Sequence, residues 1–236
     1  MQILRFIQRI SISASLIILA GCQTPLVQIN ERPMYEGMVK TPQQQQADKE
    51  LIETVLEKCG SLEVASREAA KLGWQFYYQN DFSTAMKRFN QAWLLNSNNP
   101  EAFWGFGLII GQRASRQEAE NNLNESVRFL QRAMEIDPDN GRIMGDLAFS
   151  HTILAHYYKS VRRNEKEATA HFDVASKLFP VAYKADPEYP PIVANWSVFY
   201  FYTGNYQNAK KKADEAEKMG YKFSSAYIQD LKKKMK

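Results

Sequence analysis

Ala85, Phe89 and Ala92 are spaced four residues and then three, which puts them on one stripe of an α-helix. The same spacing returns at Ser126, Leu130 and Ala133, at Ala175, Phe179 and Ala182, and at Ala209, Ala213 and Ala216. Two of these runs reach the same helix stop, Asp137-Pro138 and Asp186-Pro187. Upstream of each set lies another helical stripe: Leu72, Gly73 and Phe76; Phe103, Phe106, Gly107 and Ile110; Met144, Leu147, Ala148 and His151; Val193, Trp196, Ser197 and Tyr200. The small members at 73, 107, 148 and 197 let paired helices approach closely, and the large ones fill the space beside them. From Asp48 almost to the C-terminus, apolar residues recur at helical spacing without strand alternation, so an all-α fold is predicted.

These pairs resemble the tetratricopeptide repeat, a 34-residue helix-turn-helix unit. The first unit, 66–99, carries Leu72-Gly73, Phe76, Asn80-Asp81-Phe82, Ala85, Phe89 and Ala92; the last, 190–223, carries Trp196, Tyr200, Gly204-Asn205-Tyr206, Ala209 and Ala216. Units 100–140 and 141–189 exceed that length by seven and fifteen residues. Longer helices could absorb both, being near-whole numbers of turns; looped insertions are the alternative, with a break at Arg162-Arg163-Asn164. Pro180 should kink or end the second helix of unit three. The expected architecture is a helical-pair solenoid of about four repeats with capping helices, 48–59 stopped at Gly60 and 224–235 opened by Ser224.

The resemblance implies a concave groove lined by the first helix of each pair. Transferred by alignment, its residues are Arg67, Ala70, Trp74, Tyr77 and Tyr78 in the first unit and Glu101, Trp104, Leu108, Gly111 and Gln112 in the second. The third contributes Arg142, Gly145, Phe149, Thr152 and Ile153, and the fourth Pro191, Ala194, Val198, Phe201 and Tyr202. The face is rich in aromatic rings, which dominate binding hot spots. Two readings stand side by side: an open groove for a protein or peptide, and a groove occupied by the chain's own insertions or tether.

Near the N-terminus, Arg5 and Arg9 precede an apolar run from Ile10 to Ala20, too short to cross a bilayer as a helix. The run closes in Leu19-Ala20-Gly21-Cys22, which resembles the bacterial lipoprotein signal at all four positions. That resemblance implies removal of residues 1–21, a diacylglyceryl thioether and N-acylation on Cys22, and a body held on a membrane by lipid. Gln23 is not the aspartate that favours inner-membrane retention in the family, so an outer-membrane anchor facing the periplasm is expected. Residues 22–47, with Pro25, Pro33, Pro42 and the run Gln43 to Gln46, read as a flexible tether to a domain over 48–236.

Composition narrows the function. The mature chain carries 28 basic and 26 acidic residues, a near-balance that gives no support for nucleic-acid binding. With Cys22 lipidated, Cys59 has no partner in the chain; its spacing with Leu51, Ile52, Val55 and Leu56 favours burial. His151 and His156, five apart, cannot share a helix face as a metal pair, and His151 reads as a core histidine. No phosphate loop, nucleophile elbow or Cys-x-x-Cys pair occurs, and no catalytic residue, cofactor, metal or small-molecule substrate is expected. The nine lysines against four acids over 205–236 make a basic C-terminal end, read as a solvated face or a contact with anionic lipid or an acidic partner. The chain therefore reads as a lipid-anchored periplasmic adaptor that is not an enzyme. The alternative is an envelope protein that associates with itself through Cys59 or the basic cap.

Overall fold

The computed structural model describes residues 29–113 and 118–235. The leader over 1–21, Cys22 and the start of the tether lie outside the described residues. Two short turns, Ile29–Glu31 and Pro33–Gly37, precede α1 (Pro42–Cys59), α2 (Leu62–Tyr78), α3 (Phe82–Leu95) and α4 (Pro100–Arg113). They are followed by α5 (Ala119–Ile136), α6 (Gly141–Tyr157), a π turn (Tyr158–Arg162), α7 (Glu165–Ala185), α8 (Pro190–Tyr202), α9 (Tyr206–Lys218) and α10 (Ser225–Lys234). Among the described residues every regular element is helical. They form two compact units, 29–109 and 110–235.

The helix starts follow local chemistry. Ser61, Asp81, Asn140, Asn164, Asn205 and Ser224 each accept a hydrogen bond from a backbone N–H of the first turn. Thr41 makes a reciprocal capping box with Gln44, so α1 begins at Pro42 rather than Asp48. This corrects the tether: its last six residues, 42–47, are the start of a capped helix, and residues 30–35 pack on α3. Gly60, with φ of 67°, ends α1 where expected.

In the first unit, the stripe Ala85, Phe89 and Ala92 is fully buried. The Phe89 ring lies between two glycines: a Cβ at Gly73 would come within 2.7 Å of it, and one at Gly105 within 2.3 Å. The close approach on α4 is thus built on Gly105. A buried polar network ties the three helices together. Ser66 Oγ donates to the Ala92 carbonyl at 2.7 Å, and Asn99 Nδ2 donates to Ser66 Oγ at 2.7 Å. Asn99 Oδ1 in turn accepts from the amides of Glu101 and Ala102, so the buried side chains of Ser66 and Asn99 are both hydrogen-bonded.

In the second unit, Ser126, Leu130 and Ala133, then Ala175, Phe179 and Ala182, then Ala209, Ala213 and Ala216 are at most 1% exposed. Helix α6 packs along α7, and α8 along α9. Ser197 Oγ donates to the Ala209 carbonyl at 2.7 Å, a side-chain bond between α8 and α9 of the kind that Ser66 makes between α2 and α3, though at a different level of the pair. The extra length of 141–189 is taken up by the 21 residues of α7 and the π turn, and the chain breaks at Arg163, with φ of 52°, before Asn164 caps α7. Of the two outcomes expected at Pro180, a kink or an end, the end does not occur: α7 continues through it to Ala185. Pro180 and Ser176, whose carbonyl loses its amide partner, are both exposed, so water can replace the missing donor.

Candidate functional site

The first unit gathers four of the sequence-derived aromatic positions into one cluster. The Trp74 ring meets Trp104 edge-on at 4.5 Å, Phe89 at 5.1 Å and Tyr77 at 5.5 Å, and stacks on Tyr78 at 6.1 Å. Its indole N–H donates to the Glu101 carboxylate, which fixes the ring's orientation. Exposure divides the cluster. Trp104 is 7% exposed and belongs to the core, whereas Tyr78 is 70% exposed and Trp74 and Tyr77 are half-buried. Arg67, about two turns before Trp74 on the same face of α2, is exposed and paired with Glu63 at 2.6 Å. Ala70 and Leu108 are buried.

In the second unit most groove positions are packed inside. Phe149, Thr152, Ile153, Ala194 and Val198 are buried, and a Cβ at Gly145 would lie 2.7 Å from Ile192. Gly111 faces Ser126 as closely, at 2.9 Å, and Gln112 is half-buried. Pro191 is half-buried at the start of α8. Buried side chains such as Phe149 and Trp104 cannot meet a partner without opening the fold, which corrects their assignment as contact residues. The reason is that α6 is buried nearly all round, so a first-helix position there is core on both sides. Arg142 remains exposed, held by Asp186 at 2.7 Å and lying 4.4 Å over the Tyr189 ring. Phe201 packs edge-on against Tyr206 and Tyr227. Tyr202 stacks on His156 at 4.0 Å, and burial drives its phenol pKa upward.

Sequence spacing did not reveal the histidine pair. His151 Nδ1 and His171 Nδ1 lie 2.9 Å apart, and Tyr158 stacks on His171 with its ring parallel to within 2°. One ring must donate and the other accept, so at least one imidazole is neutral. Burial, then the neighbouring His171, brings the His151 pKa down to about 4, and burial also lowers His171. Burial, then Lys159, brings His156 down to about 4. Among the described residues no group of three or more His, Cys, Asp and Glu side chains is placed to hold a metal.

Two further features bear on contacts. Cys59 is exposed, not buried, because no residue of α1 is fully buried and the helix presents its apolar stripe only partly to α2. At the basic end, Lys210, Lys212 and Lys233 pair with Asp214, Glu215 and Asp230. Lys212 is also stacked over Trp196 at 4.3 Å, so part of that charge is spent inside the domain. Among the described residues no helix is long and apolar enough to cross a membrane. No family model matches the sequence, and no curated protein matches it.

Proposed function

We propose that this chain is a lipid-anchored bacterial envelope protein whose tetratricopeptide-like body binds a protein or peptide partner. The supporting observation is the repeat itself: all four sequence-aligned stripes are buried to within 1%, as a stack of equivalent helix pairs requires. The Leu19-Ala20-Gly21-Cys22 motif supports the anchor, with Gln23 favouring an outer-membrane, periplasm-facing location. The contact surface in this reading is the part of α2 that the core leaves outside: Tyr78, the half-buried faces of Trp74 and Tyr77, and Arg67. Tyrosine and arginine there offer large contact area and a forked charge. The role is that of an adaptor or scaffold in assembly of an envelope machine such as a pilus, a secretin or a cell-wall complex.

Replacing Cys22 by Ser should abolish acyl labelling, and labelling at the wild-type level would refute the anchor. A photo-crosslinking residue at Tyr78 in the native envelope should capture one discrete protein, which mass spectrometry then identifies. Capture of nothing, or equal capture from a probe on the α1 surface, would refute the α2 contact surface.

The exposed thiol of Cys59 favours a second reading, a structural lipoprotein that associates with itself. A disulfide-linked dimer seen in non-reducing electrophoresis of envelopes, and lost in Cys59→Ser, would favour it over the adaptor.

A further inference from the structure

The outer face of α3 grips the main chain of a peptide segment. Ser83, Lys87 and Asn90 are spaced four and three residues apart, two positions and about 200° round the helix from the buried stripe Ala85, Phe89 and Ala92. Asn90 is only 1% exposed. Its Oδ1 accepts from the Met34 amide at 2.8 Å, and its Nδ2 donates to the carbonyls of Asn30 at 2.9 Å and Arg32 at 2.8 Å. The Glu31 carboxylate accepts from Ser83 Oγ at 2.7 Å and pairs with Lys87 Nζ at 3.0 Å. Pro33 is buried, and Tyr35 meets Trp93 edge-on at 6.3 Å. Three successive non-glycine residues, Met34, Tyr35 and Glu36, then take φ of 48°, 56° and 51°. Such backbone persists only where its surroundings over-determine it.

We infer that this face of α3 is a mooring for residues 30–35, and that it holds the helical body close to the membrane. The inference rests on the lipid-anchored reading of Cys22. From Cys22 to Asn30 there are eight residue steps, and eight steps of chain span at most roughly 25–30 Å. With residues 30–35 released, the chain from Cys22 to the start of α1 at Pro42 would have 20 steps and reach roughly 65–70 Å. Mooring thus cuts the reach about two-and-a-half-fold. It directs the adaptor to partners that lie at the bilayer surface, such as membrane-proximal segments of other envelope proteins.

The test uses the full chain, processed in the cell, purified in detergent and reconstituted into vesicles of phosphatidylethanolamine and phosphatidylglycerol. A donor dye on Cys59 reports energy transfer to acceptor-labelled lipid, and hydrogen exchange reports the Met34 amide. The wild type should show strong transfer and a Met34 amide that exchanges at least tenfold more slowly than in Asn90→Leu. Asn90→Leu should at least halve the transfer. Lys87→Glu, at a half-buried site whose change spares the core, should lower transfer as well, and the swap Glu31→Lys with Lys87→Glu should restore it. A Met34 amide equally fast in wild type and Asn90→Leu would overturn the mooring. Transfer unchanged in both variants while the amide is released would overturn its effect on reach. Wild-type protein that stays off the vesicles would overturn the anchor itself, a result distinct from failure of the grip because Met34 exchange reads the grip separately.

Discussion

Gly105→Ala sets two effects of opposite sign against each other. Alanine is the better helix former in the interior of α4 and would stabilise it by about 0.5–1 kcal/mol. Against this, the new Cβ would sit 2.3 Å from the Phe89 ring, and its three nearest atoms all belong to that ring. The ring is fully buried and cannot retreat: on the far side Gly73 leaves it no slack, since a Cβ there would already meet it at 2.7 Å. Trp74 closes the flank at 5.1 Å. Overpacking typically costs about 1–3 kcal/mol, and a ring held on both sides belongs at the upper end. The net expectation is a loss of about 2 kcal/mol, or roughly 4–8 °C in melting temperature for a body of this size. Urea unfolding followed by tryptophan fluorescence measures it directly, because Trp74 and Trp104 flank the site. Phe89→Leu in the same chain should relieve the clash, so the double variant should lose less than the sum of the single changes. A Gly105→Ala protein as stable as wild type would show that α2, α3 and α4 do not meet through Phe89 as described.

Other outcomes follow from the same packing. Trp104→Ala should cost about 3–5 kcal/mol of folding stability, as a buried aromatic truncated to Ala does, whereas Tyr78→Ala should leave the urea midpoint within error and weaken partner crosslinking; similar unfolding curves for the two would refute the division of the cluster. Ala209→Leu, at a fully buried position whose carbonyl accepts from Ser197, should lower stability by about 1–3 kcal/mol, and an unchanged midpoint would misplace the last repeat. Burial pushes the His151 pKa down to about 4 in the folded protein from the ordinary 6.5 of an exposed histidine, so between those values the unfolded chain binds a proton that the folded chain does not. Its contribution is therefore complete above pH 6.5 and lost as pH falls, by about 2 kcal/mol at pH 5. His151→Gln should flatten that part of the pH profile, and an identical slope in both proteins would refute the buried pair.

Local chemistry alone determined where the helices run and which stripe of each turns inward. The four-then-three spacing, the cap at Ser224 and the stop at Gly60 act within a few residues of themselves, so a chain read one window at a time reveals them. The aromatic positions of α2 were marked by the resemblance to the tetratricopeptide repeat, through alignment of the units. Which of those rings stays outside was decided only by tertiary packing: Trp74 and Trp104 both fall on the face that the resemblance assigns to the groove, Trp74 aligned with Leu108 and Trp104 with Ala70, yet one is half-buried and the other core. Pairings between distant residues have no sequence period at all. The 20 positions between His151 and His171, and the 56 between Met34 and Asn90, are closed only when helices dock, so neither contact could be read in advance. The same holds for residues 30–35, which read as open chain because their partners, Asn90, Lys87 and Trp93, lie on a helix that the segment meets only in the folded body; the glutamines, by contrast, join α1 through the local capping box of Thr41 and Gln44.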